Sequence, residues 1–130
     1  MPISPSPADP IPNPAGVASQ PRFAVLIAVF NEAENVATVT EETLRAAAPL
    51  GPFELIYVDD GSNDATADRL RALQATDRSI RVLRHDRRCG KTAALITGVM
   101  AARAPWIVTM DGDGQDRADD VLRLLELAQP

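Results

Sequence analysis

The chain has 130 residues, a formal net charge of −5 and an ordinary globular balance of 45% hydrophobic and 24% charged residues. One domain of this size buries roughly two-thirds of its unfolded surface, which is enough for a real core. An acidic chain without a Lys/Arg block is a poor binder of nucleic acid phosphates, and its single cysteine excludes an internal disulfide. No apolar run approaches the ~20 residues of a membrane span and no signal-peptide pattern is present, so we expect a cytoplasmic protein.

The first 21 residues are proline-rich and hold seven of the eleven prolines. Proline fixes φ and removes a backbone donor, so this stretch should form neither helix nor sheet. We predict a disordered leader over 1–21 and a folded domain over 22–130.

The predicted domain begins with FAVLIAVF (23–30), a continuous apolar run typical of a buried parallel strand. Asn31 and Glu34 follow at the spacing of a capping box, which predicts that a helix starts there. The apolar face of that helix carries Val36, Val39, Leu44 and Ala47. ELIYV (54–58) is the second predicted strand.

The second helix is predicted over 65–76, with Ser62 or Asp64 as its cap and Gly61 in the turn before it. IRVL (80–83) is the third predicted strand, and a helix over 92–103 follows it.

WIVTM (106–110) is the fourth predicted strand, and Met100 and Trp106 are predicted to fill the core. The last helix shows a helical spacing of apolar side chains, namely Val121, Leu124, Leu125 and Ala128.

Four strand–loop–helix units in a row predict an α/β fold: a Rossmann-like, three-layer α/β/α domain with a mostly parallel sheet. Ligands of such sheets bind beyond the carboxyl ends of the strands. The polar chemistry of the chain is concentrated in the four loops there, NEAEN, DDGSND, HDRRCGK and DGDGQD. A sheet of four strands also leaves an open edge that could pair with another chain.

The loop DGDGQD follows the fourth strand directly. Asp111, Asp113 and Gln115 alternate, so an extended backbone would turn their side chains the same way. Oxygen ligands at this spacing suit Mg²⁺ or Mn²⁺. The alternative is a turn rich in Asp and Gly, with Asp116 capping the next helix.

Two further loops complete a site for a nucleotide diphosphate. Asp59 and Asp60 could accept hydrogen bonds from a base or a ribose, and Lys91 at a helix start could meet a phosphate. His85 occupies the place of the first glycine of a P-loop, and we predict only a surface or packing role for it because we expect no second metal-type partner nearby. Cys89 is assigned no chemistry.

Three blocks of the chain resemble successive signatures of family-2 glycosyltransferases with the GT-A fold, namely VLIAVFNEAENV, IYVDDGSNDAT and VTMDGDGQD. DGDGQD is most similar to the branch that includes dolichol-phosphate mannose synthase and polyprenyl-phosphate sugar transferases. The resemblance covers residues 23–127. It implies inverting transfer of a sugar from a UDP- or GDP-linked donor to an acceptor such as polyprenyl or dolichyl phosphate, at the cytoplasmic face of a membrane.

The resemblance also implies roles for individual residues. The base pocket would be lined by Ala28, Phe30 and Glu32, and the base and ribose would be bound near Asp59 and Asp60. Lys91 would assist as a basic residue of its loop, and Asp111 would bind the donor. The metal would be held by Asp111, Asp113 and Gln115. The family's domain continues beyond the matched blocks. The resemblance therefore implies a C-terminally truncated donor-binding part, with the general base and the acceptor pocket outside it and little or no turnover alone.

Four other interpretations compete with this one, and the first three fit the residues less well. A P-loop NTPase would use CGKT, but it lacks the first glycine and leaves DDGS unexplained. A phosphorelay receiver would carry its acidic pair after the first strand, whereas Asp59 and Asp60 follow the second predicted strand. A calcium-binding loop that starts at Asp111 would need glycine at its sixth position and glutamate at its twelfth, but Asp116 and Leu122 stand there. The last interpretation is a non-catalytic nucleotide-binding or interaction domain.

Overall fold

The computed structural model describes residues 20–128, so most of the predicted leader lies outside the described residues. The elements alternate as expected: β1 (Phe23–Val29), α1 (Val36–Ala47), a short 3-10 turn (Ala48–Leu50), β2 (Phe53–Asp59), α2 (Thr66–Thr76), β3 (Ile80–Arg84), α3 (Lys91–Ala101), β4 (Trp106–Asp111) and α4 (Ala118–Ala128). None of the helices in this range combines the length and apolar character needed to cross a bilayer.

The four strands form one parallel sheet in the order β3-β2-β1-β4. The chain adds β2 and β3 on one side of β1, and α3 then carries it back to place β4 on the other side. This reversal makes the β1–β4 boundary the topological switch point, where the connections leave the two strands in opposite directions and open a crevice. In the register of β1 with β4, Ala28 lies opposite Asp111.

The sheet is covered on both faces, which confirms the predicted three-layer α/β/α architecture. One core cluster joins the sheet to α1, α2 and α4 and includes Ile27, Tyr57, Leu70 and Leu122. The other joins it to α3 and includes Leu26, Ile56 and Ala94. Most of β1 is buried in one or other cluster, as its continuous apolar run predicts.

The prediction that Met100 and Trp106 fill the core is wrong. Met100 is 79% exposed and Trp106 is 38% exposed. The residues of α3 that are buried are the small Ala94 and Gly98. Because this helix is apolar on more than one side, periodicity alone does not reveal which side meets the sheet.

The predicted apolar face of α4 is also partly wrong. Leu124 is 64% exposed, whereas Leu122 and Leu125 are buried. Leucines at 122, 124 and 125 allow two overlapping helical stripes, and packing of α4 against α1 selects the one that starts at Ala118.

The capping box at Asn31 is wrong as well, because α1 begins at Val36. Asn31 adopts a positive φ of 53° and connects to the loop after β2. Its backbone N–H donates to Ser62 Oγ at 2.7 Å, and its Oδ1 accepts the N–H of Asn63 at 2.9 Å. Of the two predicted caps for α2, Asp64 accepts a hydrogen bond from the N–H of Thr66, whereas Ser62 is used by Asn31.

Candidate functional site

An open cleft of about 300 Å³ lies at the carboxyl ends of β1 and β4. This is the switch point of the sheet, where ligands of such folds bind. The cleft brings together seven of the residues predicted from sequence, namely Ala28, Phe30, Glu32, Asp60, Lys91, Asp111 and Asp113. Asp59 and Gln115 are not among its lining residues.

The loop after β4 presents its acids to solvent. Asp111 Oδ1 accepts a hydrogen bond from Lys91 Nζ at 2.6 Å, and both side chains are at least half exposed. The hydrogen bond to Asp111 and the charges of Asp111, Asp113 and Asp116 raise the pKa of Lys91, so this lysine is firmly cationic.

Gly112 determines how closely this loop approaches β1. A Cβ at Gly112 would lie 2.5 Å from Val29 Cγ1, so any other residue there would force the buried Val29 side chain or the loop to move. Glycine therefore allows the end of β4 to lie against β1 and puts the flanking Asp111 and Asp113 at the cleft.

Hydrogen bonds within the β4 loop leave carboxylate oxygens available. Asp113 Oδ1 accepts the N–H of Gln115 at 3.0 Å, which closes a turn. Asp116 Oδ2 accepts the N–H of Asp111 at 2.9 Å, so this carboxylate bonds back to the end of the strand. These contacts occupy one oxygen each of Asp111 and Asp113.

The β1 side of the cleft carries a residue that sequence reasoning missed. The guanidinium carbon of Arg88 lies 4.1 Å from the centroid of the Phe30 ring, a cation–π contact. Both residues line the cleft. The signal available in the sequence was the run of basic residues in HDRRCGK, but only the fold shows which arginine meets Phe30.

The loop after β2 is built differently from the loop after β4. Asp59 is fully buried, its Oδ1 accepts the N–H of Ser62 at 3.0 Å, and within the described residues its Oδ2 has no hydrogen bond. The nearest cation to that oxygen is Arg84, whose Nε is 3.5 Å away. The predicted contact of Asp59 with a base stays a prediction.

Asp60 is only 4% exposed, and its carboxylate already has partners within the chain. Oδ1 accepts hydrogen bonds from His85 Nδ1 and the N–H of Cys89, both at 2.8 Å, and Oδ2 accepts the N–H of Gly90 at 2.9 Å. Burial by itself would raise the pKa of Asp60, but these hydrogen bonds outweigh it and hold the pKa below its usual range.

The expectation that His85 has no metal-type partner is wrong. Asp60, His85 and Cys89 each bring a ligand atom within 4.8 Å of the others, and no acids of the β4 loop form such a group of three in the described part of the chain. Each of the three already has a partner, because His85 bonds to Asp60 and the Cys89 thiol donates to the carbonyl of Arg87 at 3.2 Å. The group is therefore a satisfied hydrogen-bond network.

The profile of glycosyl transferase family 2 matches residues 24–130. The chain belongs to this family. The predicted resemblance is thereby confirmed, and the P-loop NTPase, receiver and calcium-loop interpretations lose their basis.

Two kinds of relative are informative. An undecaprenyl-phosphate 4-deoxy-4-formamido-L-arabinose transferase of Pectobacterium atrosepticum is 36% identical over 107 residues, which are 81% of this chain and 33% of that protein. The transferase of the same name from Pseudomonas aeruginosa is 35% identical over 107 residues, 81% of this chain and 32% of that protein. This chain thus spans about a third of the length of the curated relatives it matches.

The solved structures confirm the GT-A fold. A mannosyltransferase of Pyrobaculum calidifontis, in complex with GDP-Man and Mn²⁺, aligns with a TM-score of 0.71 and 26% identity, over 96% of this chain and 36% of that one. S. aureus TarS aligns with a TM-score of 0.63 and 18% identity, over 81% of this chain and 31% of that one, a likeness of fold alone.

Proposed function

We propose that this domain binds a nucleotide-diphosphate sugar in the β1–β4 cleft, as the donor-binding part of a glycosyltransferase that transfers the sugar to a polyprenyl phosphate. The observation that carries the proposal is the pair of exposed acids, Asp111 and Asp113, beside the cation Lys91 in a cleft at the switch point. The relatives named for undecaprenyl-phosphate transfer support the acceptor class. The likeness to a mannosyltransferase with bound GDP-Man supports the donor class.

The residues at the end of β4 fit a divalent cation. Asp111 and Asp113 each offer a carboxylate oxygen that receives no hydrogen bond from residues 20–128, and oxygen donors are what Mg²⁺ and Mn²⁺ select. Gly112 keeps both acids close to β1, where a larger residue would collide with Val29. Together with Gln115, Asp111 and Asp113 would hold the ion, which would act as a Lewis acid on the diphosphate leaving group.

Lys91 has a defined task in this arrangement. It is cationic and already lies at the carboxylate cluster, so a bound diphosphate would give it a second anionic partner. It starts α3, whose first N–H groups also favour a phosphate.

The base would lie on the β1 side of the cleft. Phe30, with Arg88 over its ring, supplies an apolar wall there and Glu32 a carboxylate, next to Ala28. An apolar wall accepts any base, whereas hydrogen bonds to a carboxylate distinguish bases by their donors. UDP and GDP therefore remain the two nucleotides to compare.

The test is calorimetric titration of the purified chain with UDP and with GDP, each with and without Mn²⁺ or Mg²⁺. We expect one nucleotide to bind in a metal-dependent way, and Asp111→Asn and Asp113→Asn each to weaken that binding by about tenfold or more, because a charged ligand is lost. Asp119→Asn is the matched control, since it removes the same charge from an exposed position on α4.

Binding that ignores the metal and both cleft variants would contradict the proposal. So would a folded chain that binds neither nucleotide.

A further inference from the structure

We infer that Asp60 and His85 are positioning residues: they form a latch that fixes the loop 85–90, here called the basic loop, so that Arg88 and Lys91 face the cleft. The inference deepens the proposed function, because it assigns Arg88 as a second cation for the same anionic ligand. The latch itself rests only on contacts within the chain.

The first part of the latch is the Asp60 carboxylate. It accepts the backbone N–H groups of Cys89 and Gly90, the last two residues before α3. A carboxylate that accepts two neighbouring amides fixes both the position and the direction of the backbone between them, and hydrogen bonds to a charged acceptor are about twice as strong as neutral ones. Asp60 thus determines where α3 begins relative to β2.

The second part is His85. Its Nδ1 bonds to Asp60 Oδ1, and its Nε2 bonds to Thr97 Oγ1, both at 2.8 Å. Because a carboxylate only accepts, Nδ1 carries the proton, and in the neutral ring Nε2 accepts the hydroxyl proton of Thr97. His85 therefore ties the loop after β2 to the second turn of α3.

The third part is a close backbone approach. A Cβ at Gly61 would lie 2.5 Å from the carbonyl carbon of Arg87 and 2.5 Å from the nitrogen of Arg88. The basic loop is therefore seated directly on the turn after β2. Arg84 adds a hydrogen bond from its guanidinium to the carbonyl of Ser62 at 3.0 Å.

The consequence lies on the cleft side of the basic loop. Arg88 of the basic loop stands over Phe30, and Lys91, the first residue of α3, reaches Asp111, so two cations lie along one cleft. Held by the carboxylate of Asp60, the basic loop and the start of α3 offer the ligand a preorganised pair of charges at a lower entropic cost.

The latch also explains the burial of Asp60. Three hydrogen bonds occupy this carboxylate, and it is 4% exposed, so it acts on the ligand through the basic loop. Asp60 thus differs in environment from Asp111 and Asp113, which are exposed.

The test is amide hydrogen exchange of the full chain, followed by NMR. We expect Cys89 and Gly90 to be protected in the native chain, and Asp60→Asn to speed their exchange by about tenfold, because one charged acceptor is replaced by a weaker neutral one. His85→Ala should give a smaller increase at the same two amides. His85→Asn should restore much of the protection, since its amide can still donate to Asp60.

Two controls separate latch opening from general destabilisation. Asp86→Asn removes the same charge from an exposed position of the basic loop and should leave both amides unchanged. The amides of buried Leu26 and Ile27 in β1 report global opening, and their exchange should change less than that of Gly90.

A second readout ties the latch to the ligand. Asp60→Asn, His85→Ala and Arg88→Met should each weaken nucleotide binding by about three- to tenfold while the metal requirement stays, because charge placement and not metal ligation is affected. Native amides at Cys89 and Gly90 that exchange freely, or that ignore Asp60→Asn, would overturn the latch. If Asp60→Asn speeds exchange of these amides but leaves the nucleotide affinity unchanged, the latch does not position Arg88 and Lys91 for the ligand. If the native chain binds no nucleotide but the exchange results hold, the latch stands and the proposed function fails.

Discussion

The loops after β2 and β4 carry the same acidic residues at equivalent places and end up in opposite environments. Each follows a strand next to β1, and each begins with acids, Asp59 and Asp60 in one and Asp111 and Asp113 in the other. The acids of the β2 loop are buried and bonded within the chain. Those of the β4 loop are exposed.

The difference arises from what covers each loop. The basic loop is seated on the turn after β2 and supplies two amides and an imidazole to the carboxylate of Asp60. Within the described residues β4 is an edge strand, and the cation that bonds to the carboxylate of Asp111 is the exposed Lys91. Acids that the fold satisfies hold the structure, and acids that it leaves unused are free to bind a ligand.

The largest expected effect comes from a matched pair of glycines. Gly61 and Gly114 have similar positive φ values of 77° and 83°, so alanine is strained at both. At Gly61 the new Cβ would also meet backbone at 2.5 Å, whereas at Gly114 the nearest atom is 3.8 Å away. Gly61→Ala should cost about 3 kcal/mol of unfolding free energy and Gly114→Ala about 1 kcal/mol. Urea denaturation measures both, and equal losses would contradict the contrast between the loops.

The next effect concerns the acids themselves. Asp60→Ala leaves the donors of Cys89, Gly90 and His85 without their acceptor and should lower the unfolding free energy by about 2 kcal/mol. Asp113→Ala removes an exposed charge and should change it by no more than about 0.5 kcal/mol. A loss at Asp113 as large as that at Asp60 would break the comparison.

Acid should unfold the chain partly through Asp60. Its folded pKa lies below the ordinary value of 3.8, so its contribution to stability is present above that value and is lost as pH falls through the folded pKa. The Asp60→Asn variant has no titratable carboxyl group at this position. We therefore expect its unfolding free energy to fall less steeply than that of the native chain between about pH 5 and pH 2, measured by urea titration at each pH. Parallel curves would show that Asp60 binds protons equally in both states.

The smallest effect on stability is expected at Lys91. Its ion pair with Asp111 is exposed, so Lys91→Met should change the unfolding free energy by less than about 0.5 kcal/mol. The same variant should weaken nucleotide binding by about tenfold, because a phosphate partner is lost. Thermal denaturation measures the effect on stability, and calorimetry measures the effect on nucleotide binding. A large loss of stability with intact binding would show that Lys91 supports the fold and does not bind the ligand.

Much of the fold could be predicted from local pattern. Continuous apolar runs such as that in β1 indicate buried parallel strands. These runs alternate along the chain with segments of helical periodicity, which indicates the α/β class. The acids at strand ends could be placed near one another because parallel strands share a carboxyl edge. Periodicity was insufficient where two apolar stripes overlap, as at Leu122 and Leu124, and where a helix buries its small residues instead of Met100.

The sequence by itself determined the residue types at the candidate site and the edge of the sheet on which they lie. Only the tertiary structure decided which carboxylates are available to a ligand. Availability depends on partners distant in the chain, since Asp60 is bonded by residues 25 to 30 positions away and Asp111 by one 20 positions away. A carboxylate has the same chemistry in both loops, and burial and hydrogen bonding decide whether it stabilises the fold or binds a ligand.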